Sequence, residues 1–258
     1  MTGRGIRIAL LLAILAMVGF DAWLTRSRTT SWENALRVSI YPIAFDGQPA
    51  TRDYVKALTR EDFAPIASFL QREAPRYGVA LTEPLSIWLR PEPDRAPPLP
   101  PADRGLFGTI GWSLRLRWFA SRREAAQPRP RGDARIFVLY YDPQSSPAVA
   151  HSLGLKEGLI GIVHAFASRP MTQTNNVVIA HEVLHTLGAT DKYDPASGQP
   201  RHPQGYAEPD RAPLHPQVAA ELMGGRIALA PGRATIPLSL DHVVIGPATA
   251  AEIGWVRR

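Results

Sequence analysis

The spacing of apolar and polar positions divides most of the chain into predictable elements. Residues 35–43, ALRVSIYPI, alternate and are rich in branched side chains, which predicts a first strand with Pro42 at an edge or near a strand end. Residues 58–77 predict a helix: Thr59 is placed to cap it with Asp62 three positions on, and Phe63, Ile66, Ala67 and Leu70 make an apolar stripe. Pro65 is tolerable in that helix only because it falls near the beginning. Residues 84–90 predict a second strand. In residues 110–123, Leu114, Leu116 and Trp118 alternate with Arg115 and Arg117, which predicts a strand with its arginines in solvent, although such a basic amphipathic segment also suits contact with a membrane. Residues 134–141, ARIFVLYY, predict a buried central strand, and residues 158–167, GLIGIVHAFA, another. Proline-rich residues 91–104, residues 127–133 and residues 143–155 predict loops.

The next segment, residues 175–194 (NNVVIAHEVLHTLGATDKYD), carries chemistry as well as pattern. His181 and His185 are four apart, so a helix presents both imidazoles on one face to a single metal ion. Glu182 follows the first of them and is placed to act on a water at that metal without ligating it. Gly188 can take the left-handed conformation that stops a helix, and the chain then returns Asp191 to where a third ligand is needed. Zinc suits two imidazoles, a carboxylate and an open position. The expected metal ligands are therefore His181, His185 and Asp191, with Glu182 as general base and Zn2+ as cofactor. Tyr193 follows two positions after Asp191 and serves either as a hydrogen-bond donor to a tetrahedral oxyanion or as a brace for the loop. Asp194 fits a turn cap.

The full H-E-x-x-H-x-x-G-x-x-D pattern, together with Glu221-Leu222-Met223-Gly224-Gly225, resembles the metzincin zinc peptidases, in particular the snapalysin group, whose third ligand is Asp where other metzincins have His. The resemblance rests on residues 175–194 and 221–225. It implies an α+β fold: a mixed, mostly parallel twisted sheet with an antiparallel edge strand, an active-site helix, and a small irregular C-terminal subdomain. It also implies an endopeptidase whose peptide or protein substrate lies extended along an edge strand near residues 158–167. Met223 would be the apolar floor of the metal site and not a ligand.

Beyond Asp194 the regular patterns fade. Residues 195–217 are rich in Pro, Gly and charge, residues 219–223 predict a short helical turn, and residues 247–255 a last helix with Thr249 and Glu252 spaced as a capping box. His164, His202 and His215 have no ligand spacing.

Composition changes the picture in four places. With 258 residues, the chain holds one domain and an appendage, divided here as 1–30 and 31–258, the latter with an upper part to about 188 and a lower part 189–258. The net charge of +6 comes without a long basic block or a nucleic-acid motif, so no nucleic-acid partner is expected. Cysteine is absent, which excludes disulfides and a cysteine holding the metal in a latent enzyme. Residues 8–20 are continuously apolar or glycine after Arg4 and Arg7, which predicts a signal anchor: a membrane partner for the N-terminal segment, and a catalytic domain outside the cytoplasm, or secreted if the segment is cleaved. Two competing readings stay open: a gluzincin-like peptidase with Glu221 as third ligand, and a non-catalytic zinc-containing envelope binding protein. The oligomeric state is not fixed by the sequence.

Overall fold

A computed structural model describes residues 30–101, 105–156 and 158–256. The chain forms a mixed α/β structure around a five-stranded, mostly parallel sheet in the order β2-β1-β3-β5-β4. Strands β1 (Leu36–Ala44), β2 (Leu85–Leu89), β3 (Ala134–Tyr141) and β5 (Ile160–Phe166) run parallel, and β4 (Leu153–Leu155) pairs antiparallel with β5. Helices α1 (Pro49–Lys56), α2 (Ala64–Glu73), α3 (Leu106–Ala125), α4 (Thr172–Leu187) and α5 (Pro247–Glu252) surround it.

The parallel strands are apolar on both sides because both faces are covered. Ile136, Val138, Tyr140 and Val163 share a core with Ile66 and Leu70 of α2 and Val183 and Leu184 of α4. The alternate residues Phe137, Leu139, Ile160 and Ile162 pack with Trp112 and Leu116 of α3 on the opposite face. The first core continues through Met223, Ile245 and Trp255 beneath the C-terminal half.

Several expectations hold. Strands β2, β3 and β5 lie within the stretches read as strands and β1 runs one residue past its own, and Pro42 falls beyond the last β1–β2 pair, Ile40 with Leu89, where its missing N–H costs no ladder bond. The capping box forms, with the Thr59 amide donating to the Asp62 carboxylate at 2.7 Å. The stretch read as one helix is a short 3-10 turn, α2, and a second 3-10 turn.

Other expectations need correction. Residues 110–123 lie in helix α3 and not in a strand. Its buried residues Trp112, Leu116, Ala120 and Glu124 recur every fourth position, and the alternation of Leu114, Leu116 and Trp118 arose because Leu114 and Trp118 face solvent. Glu124 anchors this helix to the sheet. Its buried carboxylate accepts from Ser39 Oγ, Tyr41 Oη, the Gly132 amide and the Arg90 guanidinium, so the buried charge is fully met. The antiparallel edge strand is β4, within residues expected as a loop, and β5 is an interior strand, parallel to β3 and antiparallel to β4. The capping box expected at Thr249 and Glu252 does not form: α5 begins at Pro247, and both side chains serve other partners. Residues 220–224 form a two-residue strand and a 3-10 turn. The membrane-anchored, extracytoplasmic placement is also corrected. Among the described residues no helix is long and apolar enough to cross a membrane, and residues 8–20 lie outside them.

Candidate metal centre

Helix α4 carries His181, Glu182 and His185, and these three residues offer ligand atoms within 4.8 Å of one another. The helix stops at Gly188, whose φ of 105° is left-handed. The Gly188 amide donates to the His185 carbonyl and the Ala189 amide to the Leu184 carbonyl, each at 3.0 Å, which turns the chain back across the end of the helix. That reversal delivers Asp191. Its Oδ1 lies 3.2 Å from His181 Nε2 and 3.1 Å from His185 Nε2.

Both imidazoles are fixed from behind by main-chain oxygen. His181 Nδ1 meets the Leu222 carbonyl at 2.9 Å, and His185 Nδ1 meets the Ala189 carbonyl at 2.8 Å. A carbonyl accepts only, so each Nδ1 is protonated, and in the neutral ring Nε2 is left with a lone pair. With neutral rings these lone pairs would face the Asp191 oxygen, a repulsion that a bound cation relieves; without one, a proton on Nε2 bridges ring and carboxylate. The Asp191 carboxyl is held well below the usual range, burial being outweighed by hydrogen bonds from the two imidazoles. Burial presses the His181 imidazole down, but Asp191, Glu182 and the Leu222 carbonyl raise it overall.

A zinc ion fits this donor set. Ligand atoms at tetrahedral corners with bonds near 2.05 Å stand about 3.3 Å apart, close to the 3.1 and 3.2 Å found here. Glu182 is a different kind of group. It is buried, its Oε2 has no hydrogen-bond partner, and burial raises its pKa against the opposing pull of the two histidines. An orphaned carboxylate oxygen beside two imidazoles is a proton acceptor in waiting.

The segment after the ligands is held by backbone. The Lys192 amide donates to the Met223 carbonyl at 2.8 Å, so one turn, residues 222–224, supports both His181 and the chain next to Asp191. Met223 itself is fully buried in the core. Tyr193 lies with its ring centroid 6.2 Å from that of His181. Burial and the nearby Asp191 carboxylate push its phenol up to about 12. Asp194 caps its turn as expected, accepting from Ala196 and Ser197. Glu221 is fully buried and accepts from Thr249 Oγ1, the Gly246 amide and the Gly224 amide, so ligation by it would cost three bonds. His164 pairs with Tyr141 on the α3 side of the sheet, His202 with the Pro209 carbonyl, and His215 with Tyr206.

Two contributors were missed by the sequence reading. Gly154 on β4 faces Gly161 on β5. A Cβ on Gly154 would stand 2.4 Å from His185 Cβ and 2.8 Å from the Glu182 carbonyl, so the glycine sets how close α4 lies to the sheet edge. Gly154→Ala is expected to cost about 1–3 kcal/mol through overpacking and to weaken zinc binding at least tenfold, read by calorimetric unfolding and competitive chelator titration. Retained zinc affinity would count against this role. No sequence signal beyond a glycine between apolar residues marks this position.

The second is Glu252 on α5. It accepts from the Thr190 amide at 2.9 Å, Thr190 Oγ1 at 2.8 Å and Lys192 Nζ at 2.7 Å, clamping both sides of Asp191. Burial opposes the Glu252 charge, yet the bonds from Lys192 and Thr190 bring its pKa below the usual 4.5. Such a group contributes stability above its unfolded pKa and loses it as pH falls through the lower folded value. Glu252→Gln, which leaves the buried Lys192 ammonium with Thr190 but without its carboxylate, is expected to cost about 2–4 kcal/mol at neutral pH. The gap in Tm from wild type should stay constant down to about pH 4.5 and close below it. A gap independent of pH would remove the charge pairing from the explanation.

No protein-family model matches the chain, and no curated protein matches it.

Proposed function

We propose that this chain is a zinc-dependent endopeptidase of the metzincin type, with His181, His185 and Asp191 as ligands and Glu182 as general base. The supporting observation is the convergence of two imidazole Nε2 atoms and the Asp191 carboxylate, beside a buried Glu182 oxygen that bonds nothing. A structural zinc site is usually closed by four protein ligands, and the three proposed here leave a position open, which favours catalysis over a purely binding role.

A zinc ion bound there supplies Lewis acidity, polarising a carbonyl and making water a better nucleophile. Glu182 takes the proton from the attacking water at Oε2 and returns it to the leaving amine. The pKa of Glu182, raised by burial, suits both halves of that transfer. The carbonyls of Leu222 and Ala189 hold the imidazoles in register throughout. Tyr193 orients Asp191 through its phenol, and the same hydroxyl can turn to the oxyanion. The peptide lies antiparallel along the outer edge of β4, whose free main-chain groups offer hydrogen bonds to an extended chain. This replaces β5 as the substrate strand, because β5 is paired on both sides.

The experiment is cleavage of a peptide library by zinc-loaded and chelator-treated protein, with the cut positions read by mass spectrometry. Zinc-dependent internal cleavage is expected, and a zinc-loaded protein that cuts nothing would remove the enzymatic reading.

A further inference from the structure

The outward face of α3 carries an apolar stripe that the proposed peptidase chemistry does not use. Ile110, Leu114 and Trp118 are 48, 60 and 63 % exposed. They are four residues apart, so at 3.6 residues per turn they form one continuous ridge along the helix. The opposite face, Trp112, Leu116, Ala120 and Glu124, is the one packed on the sheet.

The charges beside the ridge all have one sign. Arg115 and Arg122 lie on one flank and Arg117 on the other, and the Arg122 guanidinium stacks 5.1 Å from the Trp118 ring centroid. Glu124 is the single acid of residues 106–125, and it is buried against Arg90. Among the described residues no carboxylate pairs with Arg115, Arg117 or Arg122. A second copy of this face would bring like charges together. A convex ridge is also the wrong shape for gripping a peptide, and suits a soft surface that can close around it.

We propose that the outward face of α3 adsorbs to the surface of an anionic lipid bilayer, with Ile110, Leu114 and Trp118 at the headgroup–acyl boundary and the flanking arginines on lipid phosphates. The helix lies in the interface and does not cross it. Tryptophan beside arginine is the pairing that such an interface favours, an apolar ring at headgroup depth with a cation in the phosphate layer. Because α3 and α4 pack on opposite faces of the sheet, this contact leaves the metal centre uncovered.

The chain has no cysteine, so Ser121→Cys on the exposed side of α3 accepts a single environment-sensitive fluorophore in the full-length protein. On vesicles of phosphatidylcholine mixed with phosphatidylglycerol, its emission is expected to rise severalfold and shift to the blue. On phosphatidylcholine alone it is expected to keep its value in water, and added salt should reverse the anionic response. Arg115→Gln and Arg122→Gln should each weaken the anionic binding roughly fivefold. Leu114→Glu should abolish the blue shift, with unchanged circular dichroism showing that the fold persists. A label that stays aqueous on anionic vesicles, or that responds equally to both vesicle types, overturns the proposal. So does an apolar signal without lipid: concentration dependence would assign the ridge to a second copy, and concentration independence to another segment of the chain. The label reports on α3 alone, so binding through residues 8–20 does not produce the expected signal.

Discussion

Glu182→Gln is expected to lower peptide hydrolysis about 1,000-fold, within the 10²–10⁴ range of general acid–base catalysis, while the zinc content stays at the wild-type level. The amide has the shape of the carboxylate, so it keeps the packing of this side chain near Gly154 and Gly161 on the paired strands β4 and β5. What it loses is the ability to take a proton. Wild-type Oε2 is buried without a partner, so no structural hydrogen bond is sacrificed by the change. The effect should fall on kcat, because a proton acceptor acts in the transition state and not in substrate binding. The measurement is kcat and KM on the best-cleaved peptide beside the metal content of the same preparation. Two results would overturn the assignment. Loss of zinc would make Glu182 a ligand, and full activity would leave the hydrolysis without its base.

The convergence of the proposed metal ligands was legible because helix geometry fixes their spacing. His181 and His185 must share a face if residues 172–187 are helical, and Gly188 must stop that helix for Asp191 to return. The groups that hold those residues were not legible, since most are backbone atoms. The Leu222 and Ala189 carbonyls orient the imidazoles, and any residue type supplies a carbonyl. Glu252 was visible as a residue, but its spacing from Thr249 pointed to a local cap. Its actual partners, Thr190 and Lys192, are about sixty positions away, a pairing no local pattern encodes. The parallel strands β1, β3 and β5 were readable from their apolar runs. Strand β4 is three residues long with glycine at its centre, too short to show a period. Helix α3 misled for the opposite reason. Its solvent face carries Leu114 and Trp118, so an outward apolar ridge mimicked the alternation of a strand.

Asp191→Ala and Glu221→Ala are expected to fail in opposite ways, and the contrast decides which carboxylate completes the metal site. Asp191 Oδ1 stands within 3.2 Å of both Nε2 atoms, and its side chain is 39 % exposed. Its removal takes away the proposed third ligand and, in the zinc-free protein, the acceptor shared by the two imidazoles at a part-exposed position. Zinc affinity should drop by more than about 100-fold, beyond the loss typical of a group that only orients a ligand, whereas the Tm of the zinc-free protein falls less than in Glu221→Ala. Glu221 is fully buried and takes three hydrogen bonds, one within its own turn from Gly224 and two that join that turn to the start of α5. Its removal leaves the donors Thr249, Gly246 and Gly224 without their acceptor, at a cost of about 3–5 kcal/mol. Zinc affinity at temperatures where that variant is still folded should change only severalfold, through the Leu222 carbonyl behind His181. Competitive titration against a chelator, paired with thermal unfolding of each zinc-free variant, separates the two. If Glu221→Ala lost the metal while Asp191→Ala retained it, the chain would carry its third ligand on the turn beneath His181, and the loop returned by Gly188 would have to be assigned another role.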